Sequence, residues 1–234
     1  MVKTLAAITA EPADFRMRLQ GVLERAASVV AEEPEPIPGP YLTISREAES
    51  GGSEIAHRIG EKLGWTILDR ALVHDLAQRL ELEPRLLELM DETRMGWFSE
   101  TLLNLFNSRL VLQDSFVSMI SRVIALAAFE GKAIIVGRGA NIVLSPEGGL
   151  RVRVVAPRAL RLAALAEREH LDRKAAGIRL DEIDSSRADF VRRHFHVDPR
   201  DAQHYDLMID SARFGLGGSV DLILRALELR GLIE

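Results

Sequence analysis

The chain reads as an α/β domain built on a mostly parallel sheet, and three observations predict it. Short apolar runs recur between longer stretches with helical spacing, at Tyr41–Ser45, Trp65–Leu68, Ala133–Val136, Arg151–Ala156 and Leu207–Asp210. The run at Ala133–Val136 is apolar throughout and closed by Gly137, the pattern of a strand buried on both faces. The first run leads through Gly51–Gly52 into a helical stretch, which is the outline of a loop that cradles an anion. Strands separated by helices imply right-handed crossovers, and ligands of such sheets bind beyond the strands' carboxyl ends. The loops after Ile44, Leu68, Val136 and Ala156 are therefore expected to gather at one edge.

Each element has its own reason. Phe15, Leu19, Val22, Leu23, Ala26, Ala27 and Val30 fall near helical spacing, predicting an amphipathic helix in an N-terminal region 1–31. Glu32–Pro40, EEPEPIPGP, has four prolines in nine residues, which excludes helix and central strand and predicts an extended linker. The main domain is then 41–234. Ser53–Leu63 is a helix burying Ile55, Ala56, Ile59 and Leu63. Helical segments at Arg70–Leu80, Arg85–Met90 and Phe98–Glu130 form an insertion over about 70–130, and the length of the last permits a homodimer face. Leu160–Glu169 is a helix, and a polar, arginine-rich region spans Asp172–Gln203. Gly215–Gly218 is expected to turn the chain into a closing helix, Ser219–Leu229.

Bulk composition narrows the function classes. Hydrophobic residues make up 47% of the 234 and charged ones 28%, enough for a substantial core. A net charge of −5 argues against general nucleic-acid binding, so any useful positive charge must be local. With no cysteine there are no disulfides, thiolate nucleophiles or cysteine-ligated zinc, which suits a cytoplasmic setting. No apolar run approaches a membrane span. His194, His196, Asp198 and His204 read as a surface cluster, not a metal site, because no carboxylate stands at a settled spacing.

The loop Ile44–Trp65 (ISREAESGGSEIAHRIGEKLGW) is the chemically pointed feature. Consecutive backbone N–H groups and a helix N-terminus attract phosphate oxygens, and glycines allow the close approach. Gly51 and Gly52 meet that need, while Ser50 and Ser53 offer hydroxyls to a phosphate or magnesium. From the loop alone, a glycine turn feeding a helix capped by Ser53 is an equal alternative.

With further motifs added, the chain resembles the cytidylate kinase-like family, relatives of the nucleoside monophosphate kinases. The resemblance covers Tyr41 to the C-terminus and rests on ISRE…SGGSEIA at Ile44–Ala56, KLGWTILDR at Lys62–Arg70, IIVGRGANIVL at Ile134–Leu144 and YDLMIDSARFG at Tyr205–Gly215. RVRVVAP at Arg151–Pro157 and DSSR at Asp184–Arg187 lie between the last two. It implies a three-layer P-loop kinase-like fold with five parallel strands, a helical acceptor-side insertion and an arginine-bearing lid at about 172–203. The implied reaction moves the γ-phosphoryl of ATP, with Mg2+, onto a nucleoside monophosphate such as CMP or dCMP. The departures are specific. Gly52 stands at the usual P-loop lysine and Glu54 at the magnesium-binding Ser or Thr. Gly139 replaces a cytosine-reading aspartate, and Asp75 falls where an acceptor-phosphate arginine belongs.

Phosphoryl transfer needs in-line positioning and positive charge more than covalent work. Arg46 in the loop is the first candidate to replace the lysine, with Arg138 of GRG and Arg187 of the lid beside it. Arg192 joins the nucleotide-binding set with Ser50, Gly51, Gly52 and Ser53; for it and Arg193 a solvated helix face is an even alternative. Asp69, at a strand end, is either a water-mediated magnesium ligand or the N-cap of the next helix. Ser53 and Glu47 are the candidate metal ligands. Glu49 would put a second carboxylate beside the phosphates at a cost of about 4 kcal/mol at 4 Å and a dielectric near 20. It must therefore point outward, bind metal or weaken the nucleotide. The partners expected are small nucleotides. A kinase-like protein that binds nucleotide or another protein without catalysis is the rival reading, and a different small-molecule acceptor a third.

Overall fold

The computed structural model describes residues 39–73 and 115–234; the expected N-terminal helix, most of the linker and the expectations within 74–114, Asp75 included, lie outside the described residues. Five strands form one sheet: β1 (Tyr41–Arg46), β2 (Thr66–Leu68), β3 (Ala133–Val136), β4 (Gly149–Val155) and β5 (Leu207–Asp210). Their order is β2-β3-β1-β4-β5 and every pairing is parallel. The interior strands β3 and β1 are buried throughout and over their first four residues respectively, as cover on both faces requires.

One face is covered by α1 (Gly52–Leu63) and the last helix; the other by α2 (Ser115–Glu130), the short α3 (Ala140–Val143) and the end of a long lid helix. Leu42, Ile44, Val152 and Val154 point to the first face with Ile55 and Ile59. Tyr41, Ile135, Ile120 and Ile124 fill the second. α2 buries Val117, Val123 and Ala125–Ala128, so the described end of the stretch expected to serve a dimer packs into its own core. The result is a three-layer, P-loop kinase-like fold.

Most of the arginine-rich region becomes one long helix packed on the helix before it. After α4 (Arg158–Glu169), α5 (Arg173–Phe195) runs for 23 residues and is capped by Asp172, whose carboxylate accepts from the amides of Lys174 and Ala175 at 2.8 Å. Only Ala176, Leu180 and Phe195 of α5 are buried, so most of its length is an arm laid over the sheet edge. Helix α6 (Ser211–Leu229) begins earlier than the expected Ser219, because Asp210 accepts from Ala212 N at 3.0 Å and caps a first short piece ahead of Gly215. Gly215, with φ 67°, kinks this helix and swings Leu216 across the first loop. Among the described residues no helix is long and apolar enough to cross a membrane.

Candidate functional site: an arginine-lined cavity

A cavity of about 520 Å3 opens beyond the carboxyl ends of β1, β3 and β4. Its floor carries Arg46, Arg70, Arg138, Arg153 and Arg187, and its walls Arg158, Arg161, Arg192 and Arg200. Glu47, Asp181 and Asp184 are the carboxylates in its lining. Nine guanidinium groups against three carboxylates, in a chain of net charge −5, make this the local positive charge that the composition required.

Arg46 explains the missing lysine in steric terms. A Cβ added at Gly52 would sit 2.6 Å from the Cβ of Arg46 and 3.3 Å from that of Val154, so no side chain fits there. The guanidinium of Arg46 passes on against Gly137, where a Cβ would collide with Nη1. A side chain at 52 and a side chain at 46 thus exclude one another. Burial, and next the neighbouring Arg187, push the Arg46 pKa down to about 10, and its Nε is buried with no partner.

Arg138 is held under strain. Gly137, Arg138 and Gly139 all have positive φ, at 81°, 56° and 70°, and for an arginine that conformation costs on the order of 1 kcal/mol. Its guanidinium lies 5.1 Å over the Phe190 ring, its Nε is buried without a partner, and burial lowers its pKa. Arg187 donates from Nη1 to the Arg46 carbonyl at 3.2 Å, and burial lowers its pKa too. The structure therefore brings Arg46, Arg138, Arg187 and Arg192 to one cavity. Arg192 shares Asp189 at 3.6 Å and Asp198 at 3.5 Å.

The diglycine corner is not part of that wall. Gly51 lies beneath Leu216, 2.5 Å from where its Cβ would stand. The Ser50 hydroxyl donates inward, to the carbonyls of Glu47 at 2.9 Å and Val154 at 3.2 Å. Ser53 is exposed on the first turn of α1. None of Ser50–Ser53 lines the cavity, so loop cradle and arginines, expected as one site, are separated.

The acidic residues also find other partners. Glu49 points outward to Arg168 at 2.9 Å, the first of its three expected fates. Glu54 pairs with Arg58 along α1. Glu47 pairs with the charge of Arg161 and accepts from the Ala156 amide, both at 3.3 Å. Asp69 caps the helical turn at residues 70–73 through the Leu72 amide at 2.9 Å and stays off the cavity wall. Among the described residues no three His, Asp or Glu side chains converge to hold a metal, and His194 packs on Phe190 at 4.9 Å. The donor set of the cavity fits phosphate groups.

Two features escaped the sequence reading. Arg161, 8% exposed at the side chain, binds Asp184 at 2.5 Å and the carbonyls of Ala48 and Ala156 at 3.2 and 3.0 Å. Asp184 in turn accepts from the Ala48 amide at 2.8 Å, so a lid carboxylate occupies a loop N–H. The second is Arg153, buried in β4. Its signal was present in RVRVV, where arginines alternate with valines on a strand that should be apolar on both faces.

A five-stranded parallel sheet with a cationic cavity at its carboxyl edge is a setting in which α/β proteins bind anionic ligands. The chain belongs to the cytidylate kinase-like family, whose sequence model matches residues 41–213. Among curated proteins, the cytidylate kinase of Methanopyrus kandleri is 29% identical over 111 residues, 44% of this chain and 58% of that one. The match therefore spans little more than half of that relative's length. A solved structure of an uncharacterized protein from Eubacterium ventriosum superposes with a TM-score of 0.61 at 17% identity, covering 80% of this chain and 98% of that one. Shikimate kinase from Bacteroides thetaiotaomicron superposes at 0.42 and 12% identity over the same shares of the chains, too loosely to argue from.

Proposed function

We propose that the chain transfers a phosphoryl group from ATP to a nucleoside monophosphate, with CMP and dCMP the first acceptors to try, and that the cationic cavity is where the phosphates lie. The single observation that carries this is the course of Arg46: its Cβ closes the space beside Gly52 where a lysine would begin, and its guanidinium runs on into the cavity against Gly137. A guanidinium fork binds two oxygens at once, so Arg46 keeps the charge and adds geometry. Arg46, Arg138 and Arg187 would hold the transferring phosphates, with Arg192 at the wall. Their own charges repel, and a polyanion relieves that repulsion as it binds. Any magnesium would arrive on the nucleotide, since Glu47 is committed to Arg161.

The test is a coupled ADP-release assay across the nucleoside monophosphates, run with calorimetric ATP titration. Turnover with CMP is expected. Arg46→Ala is expected to cut it at least tenfold, equivalent to about 1.4 kcal/mol; an unchanged rate removes Arg46 from the mechanism.

Two observations favour a second reading, a nucleotide binder without transfer. Asp184 already holds the Ala48 amide at 2.8 Å, and an aromatic ring, Phe195, fills the space beside Gly139 where the family's base-reading aspartate would stand. Tight ATP binding with no turnover on any monophosphate would favour it, and turnover on a non-nucleotide acceptor would keep the chemistry while changing the substrate.

A further inference from the structure

We propose that Arg153 forms a subsite on the cavity floor for a phosphate group of the acceptor, held in place by Ser45 and Tyr205. The proposal rests on the reading of this cavity as the site of phosphoryl transfer, and it adds a residue that neither the fold nor the loop motif pointed to.

The argument begins with the alternation of β4. Leu150, Val152 and Val154 enter the apolar core, which places Arg151 and Arg153 on the opposite face of the sheet. The two arginines are treated differently. Arg151 is answered by a carboxylate, donating from Nη2 and Nε to Asp206 at 2.7 and 3.2 Å. Arg153, two residues on, is only 8% exposed and has no carboxylate partner among the described residues. Its Nη1 donates to the hydroxyls of Ser45 and Tyr205, both at 3.3 Å, and its guanidinium lies 5.6 Å over the Tyr205 ring.

Those partners position the group without neutralising it. Ser45 is the register partner of Arg153 across β1 and β4, so the backbone itself sets their spacing. Tyr205 is fixed because its hydroxyl donates to the Pro199 carbonyl at 2.7 Å. A cation so far out of water is costly unless an anion meets it. Among the described residues both of its hydrogen bonds leave from Nη1, and the residue lines the cavity. The rest of the fork is therefore available to a tetrahedral oxyanion, which guanidinium binds through two oxygens. Thr43, beside Ser45 on the same face of β1, keeps a buried Oγ1 with no partner, so the polar layer beneath the subsite is also incompletely satisfied.

Calorimetry with inorganic phosphate as probe, and ATP in parallel, tests this on the full chain. The wild-type protein is compared with Arg153→Met, Arg153→Lys and Arg158→Gln, the last a rim arginine already paired with Asp181 at 2.7 Å. Phosphate affinity is expected to fall at least tenfold in Arg153→Met, several-fold in Arg153→Lys and less than twofold in Arg158→Gln, while ATP affinity in Arg153→Met stays within about threefold. Equal phosphate affinity in wild type and Arg153→Met overturns the subsite, as does a wild-type chain that binds no phosphate at millimolar concentration. If Arg153→Met does not fold by circular dichroism, Arg153→Lys decides, and an unchanged affinity there overturns it. Phosphate binding that depends on Arg153 in a chain that neither binds nor turns over ATP would leave the subsite standing and remove the phosphotransfer reading instead.

Discussion

Arg161 and Arg46 approach the same short loop and meet opposite surroundings. Arg161, behind the loop, is tied to Glu47, Asp184 and two carbonyls. Arg46, at its front, meets Arg187, Arg138 and Arg70, which disfavour its protonated form, against Asp69, which favours it. Both are substantially buried arginines, yet one is answered and the other is not. The paired cation fastens loop to lid and is finished without a ligand. The unpaired one is left in an arrangement that only an anion completes.

The largest effect should come from breaking the paired region. Arg161→Met strands two partly buried carboxylates and two carbonyls, so unfolding in urea should show a loss of about 3 kcal/mol. A loss below about 1 kcal/mol would mean that the clamp is ornamental and the comparison false.

The unpaired region should behave in the opposite sense. Arg46 holds its proton less well in the folded protein, with its pKa near 10, than in the unfolded chain. Above about pH 10 the unfolded chain binds more protons, so stability should rise with pH there. Below pH 10 the full penalty is present, roughly 3 kcal/mol before allowance for the water that Arg46 retains. Arg46→Met should accordingly make the ligand-free protein more stable, by roughly 1–2 kcal/mol, and flatten the alkaline rise. A destabilised Arg46→Met would place Arg46 with the structural cations.

The smallest effect belongs to the rim. Arg158 and Asp181 are bonded at 2.7 Å but exposed on both sides, at 52% and 63% of their side chains. Arg158→Gln should leave the urea midpoint within experimental scatter, because water screens such a pair and long side chains resist being fixed. A clear shift would show that short contact distance, not burial, sorts these arginines.

Much of the fold was legible because it rests on periodicity. The five strands appear within two residues of their expected bounds, and Ala133–Val136 and Leu207–Asp210 match outright. Apolar alternation and glycine closure are local signals, and burial in a parallel sheet amplifies them. The helix α5 was not legible as such, because it buries only three side chains and so carries no apolar stripe. The turn expected from Gly215 is present as a break in α6, with φ 67° and ψ 173°, but the short helical piece before it, capped by Asp210, carried no apolar pattern to announce it. In the site, Arg46, Arg138 and Arg187 could be chosen from position alone. The fates of Glu47 and Glu49 could not, since their partners Arg161 and Arg168 lie more than a hundred residues away.

The sequence by itself determined that this is a parallel α/β domain of the cytidylate kinase-like family, with arginines where a lysine should be, because strand period, glycine placement and charge type are properties of neighbours along the chain. Only the tertiary structure decided that Gly52 is the space left for Arg46, that the diglycine corner sits under Leu216, and that Arg153 lies buried without an opposite charge. Those facts depend on which distant groups exclude water from one another, and no local pattern records that.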